Sequence, residues 1–186
     1  MEVKLALQET ELSRAHWSHS VRLLATITIG STLTIELTTT NNGNQEILLS
    51  EGLHTYFQIG DIADICMHGL ESDEYIDLVN GNERCKQTGS ITFEGELGRI
   101  YVNSTSACVI EDHRLKRQIR IEKSGSLGTA VWNPWEMSAS KTDDIETNGW
   151  RDMVCVKTAN ALEIKIIVGV GASHVMTANY SAVDIL

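Results

Sequence analysis

Thr32-Leu33-Thr34-Ile35-Glu36-Leu37-Thr38-Thr39-Thr40 is the stretch that decides the fold. Leu33, Ile35 and Leu37 alternate with Thr34, Glu36 and Thr38, a period of two that sends one row of side chains into a core and the other into water. Upstream, Val21–Ile29 is a second β-rich run, and Gly30-Ser31 between the two is a turn signal, so the pair reads as a hairpin. Downstream, Asn41-Asn42-Gly43-Asn44 forms a second turn, because Asn and Gly reach positive φ at low cost. The next strand is predicted to run from Gln45 onward and to carry His54.

The same rhythm continues to the C-terminus. Residues 62–67, 75–79 (ahead of Asn80-Gly81), 90–94, 99–102 and 107–110 each read as short strands. Residues 118–123 alternate cleanly and end at Ser124-Gly125-Ser126; residues 129–132 are apolar and are stopped by Pro134. Residues 153–156, 162–168 and 173–182 complete the series. The first 15 residues have weak period and are expected as an edge strand or a loose arm. Residues 141–152 are polar and acidic, expected as a loop or short helix over one end of a sheet, with Asp143, Asp144 and Glu146 a solvated cluster. Short strands at roughly 8–12-residue spacing with turns between them imply an all-β sandwich or barrel. Without repeat or linker, residues 1–186 are expected to form one domain.

A formal charge of -10 argues against a nucleic-acid partner, and none is expected, since phosphate binding needs clustered Lys and Arg. No apolar run approaches the roughly 20 residues of a membrane helix, so no membrane partner is expected. Met1-Glu2-Val3-Lys4 does not open a signal peptide, and Cys66, Cys85, Cys108 and Cys155 are widely separated. The thiols are therefore expected reduced, the chain cytoplasmic, and no metal or other cofactor bound. There is no P-loop and no nucleophile elbow.

One imidazole interrupts a β run in Leu53-His54-Thr55-Tyr56-Phe57. In such surroundings His54 either bonds a neighbour inside the fold or lines a cavity, and the pattern alone leaves both open. Two later segments are expected to face it: Val131-Trp132-Asn133-Pro134-Trp135 and Trp150-Arg151-Asp152-Met153-Val154-Cys155-Val156-Lys157. A strand with two Trp suits a core as well as a sugar-binding wall, where indole faces pack on C–H groups and amides bond hydroxyls.

Together with Ile121-Glu122-Lys123-Ser124-Gly125-Ser126, these segments closely resemble the glucose-6-phosphate 1-epimerases, hexose-6-phosphate mutarotases of the galactose mutarotase superfamily. The resemblance runs from about Trp17 to Tyr180, with the motifs in the family's order. It implies a β-supersandwich with an open sugar cleft. It also implies cofactor-free interconversion of the α and β anomers of an aldohexose 6-phosphate. An acid protonates the ring oxygen while a base takes the anomeric hydroxyl proton; each such group contributes roughly 10²–10⁴-fold.

Carried over, the acid is His54 and the position of the base, directly after Met153-Val154-Cys155-Val156, is Lys157. A further family aspartate falls at Gly98, before Arg99-Ile100-Tyr101. The family's chains are also longer at the N-terminus, where the resemblance puts the first strands and the arginines that hold the phosphate. A lysine ammonium, with an ordinary pKa near 10.4, cannot accept a proton at neutral pH. The expected site is therefore His54 and Lys157, with Gln58, Asn133 and Trp135 as sugar-contacting residues and a hexose or hexose phosphate as ligand. Gln58 shares a strand face with His54, whereas Glu51 points the other way. Weak or lost catalysis is the leading expectation. The alternatives are an active epimerase using Asp152 or Glu163 as base, or a non-catalytic carbohydrate-binding or oligomeric scaffold that self-associates through an exposed sheet edge.

Overall fold

The alternating stretch becomes β3 (Leu33–Asn41), paired in a tight hairpin with β2 (Val21–Ile29). The hairpin is the centre of one side of a seven-stranded antiparallel sheet in a computed structural model that describes residues 1–141, 145, 146 and 148–185. The other members are β1 (Glu2–Leu7), β6 (Ile65–His68), β10 (Cys108–Asp112), β11 (Arg117–Ser124) and β15 (Ser173–Asp184), in the order β1-β2-β3-β15-β11-β10-β6. Facing it is a six-stranded sheet of β5 (Glu51–Gln58), β7 (Glu74–Asp77), β8 (Glu83–Lys86), β9 (Leu97–Tyr101), β12 (Gly128–Asn133) and β13 (Met153–Asn160). Their order is β5-β13-β12-β9-β7-β8. A two-stranded ribbon, β4 (Ile47–Leu49) with β14 (Ile166–Val168), closes one end. The architecture is the expected antiparallel sandwich.

Alternation builds the core between the sheets. Ile110, Ile119, Ile121, Ala178 and Tyr180 point inward from one sheet, and Leu97, Tyr101, Val131, Val154 and Val156 from the other. Each fully buried Val or Ile contributes about 1.5–3 kcal/mol by leaving water. A smaller cluster of Ile76, Ile100, Val102, Ala130 and Ile164 lies on the opposite face of the six-stranded sheet.

Four details differ from the sequence reading. The strand expected from Gln45 onward breaks at Ser50 into β4 and β5, which belong to different sheets. Residues 90–94 supply only an isolated bridge, Ile91 to Met67, although Ile91 and Phe93 are buried in the alternation of a strand. Residues 162–168 shorten to β14, and Glu83–Lys86 forms a strand the polar sequence did not announce. The acidic cluster expected at Asp143 and Asp144 lies outside the described residues.

The N-terminal residues form β1 and a short helix, α1 (Glu11–His16), capped by Thr10. Val3, Leu5 and Leu7 lie on the same face as Leu23, Ala25 and Ile27, the face that continues inward to Met176 and Ala178. They nonetheless remain 38%, 59% and 51% exposed. Among the described residues no second layer covers that end of the sheet.

Candidate functional site

β5 is an edge strand, and its alternation decides where His54 points. Leu53, Thr55 and Phe57 face the core; the Thr55 hydroxyl lies 2.7 Å from the Tyr180 hydroxyl, and the Phe57 ring packs edge-on against Tyr180 at 5.6 Å. Gly52, His54, Tyr56 and Gln58 therefore project from the outer face and are exposed. His54 is not sealed in hydrocarbon.

Register then assembles a groove of about 400 Å³ on that face. His54 stands directly opposite Lys157 on β13, and Lys157 opposite Ala130 on β12. The next row is Tyr56, Cys155, Trp132 and Gly98. Directly opposed side chains leave an antiparallel pair about 5 Å apart, so imidazole and ammonium share one patch of the groove. The Lys157 Nζ sits 5.7 Å from the centre of the Trp132 ring, and Tyr56 packs edge-on against the same indole at 6.3 Å. Ala130 leaves the space beside Lys157 open.

The electrostatics follow from these neighbours. Burial, then repulsion from the Lys157 ammonium, holds the His54 imidazole below its usual 6.5. Among the described residues no carboxylate lies within ion-pair distance of Lys157. Cys155, beneath the two aromatic rings, is fully buried, and burial pushes its thiol up to about 11, so it is an inert packing group. An imidazole and an ammonium therefore meet at the groove floor, next to an indole face, and among the described residues no carboxylate pairs with either.

Glu51 is the carboxylate nearest in sequence, and it also borders the groove. It sits three residues from His54 on the other face of β5, with its side chain 4% exposed. Its Oε1 accepts from His174 Nε2 at 2.9 Å and from Asn160 Nδ2 at 3.1 Å, while Oε2 has no partner. Burial raises its pKa, only partly offset by Asn160 and His174. The two other carboxylates proposed as replacement bases do not line the groove. Glu163 pairs with Arg84 at the far sheet edge, and Asp152 precedes β13, five residues from Lys157.

The structure brings together His54 and Lys157 and separates the remaining sequence candidates. Gln58 shares the outer face but lies four residues along β5, about 13 Å away at strand rise, beyond the groove lining. Asn133 is fully buried on the opposite face of β12: its amide donates to the carbonyls of Trp150 (2.7 Å) and Met153 (2.9 Å) and accepts from the Trp135 N–H (2.9 Å). Trp135 begins the short helix α2 (Trp135–Ala139) and stacks on Trp150 with ring centres 4.6 Å apart. Asn133 and Trp135 thus close the end of the sandwich; in β12, Trp132 is the one that reaches the groove. Alternation from Trp132 to Asn133 carried that signal. Leu78, Gly98 and Ala130 also line the groove, and only strand register places them there.

The aldose 1-epimerase family profile matches residues 1–181. The chain belongs to the aldose 1-epimerase family. Among curated members, proteins named "Putative glucose-6-phosphate 1-epimerase" from Salmonella typhimurium and Escherichia coli are 35% and 32% identical to it. These matches cover 83% and 90% of this chain but 51% and 56% of those proteins. A Cenchrus ciliaris protein of the same name is 30% identical over 84% of this chain and 49% of its own length. The chain thus spans about half the length of the curated family members it matches. A crystal structure from Salmonella typhimurium, described as a "putative mutarotase", superposes with a TM-score of 0.90 at 29% identity, covering 98% of this chain and 60% of that one. An aldose epimerase homologue from C. elegans shares the fold at a TM-score of 0.74 and 11% identity, covering 100% of this chain and 66% of that one. The fold is galactose mutarotase-like.

Proposed function

We propose that this chain is a hexose-6-phosphate mutarotase-type protein that holds an aldose in the His54–Lys157 groove and has little or no epimerase activity. The observation that carries the reading is the cross-strand pairing of His54 with Lys157. A groove floor with an exposed imidazole, an indole face and open space suits a sugar ring, whose oxygens accept from the imidazole and the ammonium while its C–H face rests on Trp132. Ring opening needs a proton acceptor opposite the acid, and an ammonium in that position cannot provide one. The relatives' names support glucose 6-phosphate as the ligand to try first. The test is isothermal calorimetry with glucose 6-phosphate and glucose. Binding that is lost in Trp132→Ala supports the reading, and the absence of binding by either sugar overturns it.

The exposed apolar face of β1 and β2 favours a second reading, a non-catalytic scaffold that associates with a second copy through that face. Sedimentation equilibrium separates the two. A stable dimer that dissociates in Leu5→Lys and binds no sugar fits the scaffold, whereas a monomer that binds sugar excludes it.

A further inference from the structure

A second group of chemistry-bearing side chains lies on the other sheet. β6 and β10 pair antiparallel with Cys66 opposite Glu111 and His68 opposite Val109. Ile65, Met67, Cys108 and Ile110 point into the core, so Cys66, His68 and Glu111 share the outer face beside the last strand of the seven-stranded sheet.

Their donor atoms converge. Cys66 Sγ lies 3.2 Å from His68 Nε2 and 3.9 Å from Glu111 Oε2, and His68 Nε2 lies 3.4 Å from the same Glu111 oxygen. A tetrahedral zinc-type ion binds sulfur at about 2.3 Å and nitrogen or oxygen at about 2.0–2.2 Å, which sets the ligand–ligand edges at roughly 3.4–3.6 Å. The nitrogen–oxygen edge, 3.4 Å, already has that size, and the edges at sulfur, 3.2 and 3.9 Å, need shift by only a few tenths of an ångström. His68 is also oriented for the task. Its Nδ1 lies 3.4 Å from Glu71 Oε1, and Glu71 is held in turn by the Gly69 N–H, which donates to Oε2 at 2.7 Å. A carboxylate on the far nitrogen of a ligating histidine fixes the ring and its tautomer. The fourth position is open to solvent: Cys66 borders an open cavity, and His113 across it contacts only the other Glu111 oxygen, Oε1, at 3.8 Å.

We propose that Cys66, His68 and Glu111, with solvent in the fourth position, form a binding site for a divalent transition metal of the zinc type. One thiolate and one imidazole select such an ion over Mg²⁺ and Ca²⁺, which take oxygen ligands. On binding, the Cys66 thiol gives its proton to solvent and the ion takes its place. The site clamps strand β6, whose outer edge pairs among the described residues only through the Met67–Ile91 bridge, to β10. The sequence hides it because Cys66 and His68 are far from Glu111 in the chain and only the register joins them.

The test titrates untagged, metal-stripped protein with Co²⁺ and then Zn²⁺. The expected result is one cobalt per chain, with a thiolate-to-cobalt charge-transfer band and the visible bands of tetrahedral coordination, displaced by Zn²⁺ but not by Mg²⁺ or Ca²⁺. Cys66→Ser abolishes the charge-transfer band and Cys85→Ser keeps it, while Glu71→Gln weakens binding about tenfold or more. A second measurement needs no variant: Zn²⁺ slows alkylation of Cys66 and leaves the rate at Cys85 unchanged. A spectrum without thiolate charge transfer, its persistence in Cys66→Ser, or Cys66 alkylation indifferent to Zn²⁺ overturns the proposal.

Discussion

His54 on β5 and Lys157 on β13 are direct cross-strand partners, so a titrating imidazole stands beside an ammonium on the exposed face of the sheet. That neighbour and partial burial both disfavour the imidazolium. An NMR titration of His54 is expected to give a pKa below 6.5 in the native protein and a higher one in Lys157→Glu, where an opposite charge replaces a like one. The sign for stability follows. Between the folded value and 6.5 the unfolded chain binds more protons, so stability rises with pH across that window. Urea unfolding of wild type against His54→Gln is expected to shift in favour of wild type as pH rises from 5 to 7.5. A His54 pKa above 6.5 in the wild type contradicts the pairing.

Asn133→Ala is expected to destabilise the fold by about 2–4 kcal/mol, because it strands the Trp150 and Met153 carbonyls and the Trp135 N–H in a buried site. Urea denaturation measures it. The His54 titration in the folded protein should be unchanged, which separates a role in the fold from a role in the groove.

Two glycines of the six-stranded sheet should answer differently to a methyl group. A Cβ at Gly128 would lie 2.7 Å from the Ala159 carbonyl oxygen and 3.0 Å from Ile164 Cδ1, whereas one at Gly98 meets nothing closer than 3.5 Å. Gly128→Ala is expected to cost about 1–3 kcal/mol through overpacking and Gly98→Ala less than about 1 kcal/mol. Thermal or urea unfolding of the two variants checks the contrast.

Glu51 is held raised mainly by burial. Below its unfolded value both states are protonated and burial costs nothing extra; as pH rises through the folded value, ionisation of a buried carboxylate increasingly favours the unfolded chain. Glu51→Gln is therefore expected to gain stability relative to wild type between pH 4 and pH 7. A constant difference over that range would mean that His174 and Asn160 compensate the charge fully.

The fold was legible because strand alternation is local: Leu33, Ile35 and Leu37 announce their face without help from the rest of the chain. The site was legible only where a motif named it. His54 came from its own strand and Lys157 from the Met-Val-Cys-Val run before it. Which residues join them depends on register across β5, β13, β12 and β9, a long-range property that no local pattern encodes. Asn133 and Trp135 were placed in the groove on side-chain chemistry, and the turn after Asn133 with its inward amide took both to the end of the sandwich. The Cys66, His68 and Glu111 cluster was invisible for the same reason as the groove walls.

Polarimetry of glucose 6-phosphate mutarotation tests the central claim most directly, comparing wild type, Lys157→Glu and Lys157→Glu with Gly98→Asp. The account predicts a wild-type rate at or near that of buffer and a gain of roughly 10²-fold or more once a carboxylate faces His54. A wild type that equilibrates the anomers rapidly, and loses that rate when Lys157 becomes Glu, would contradict it.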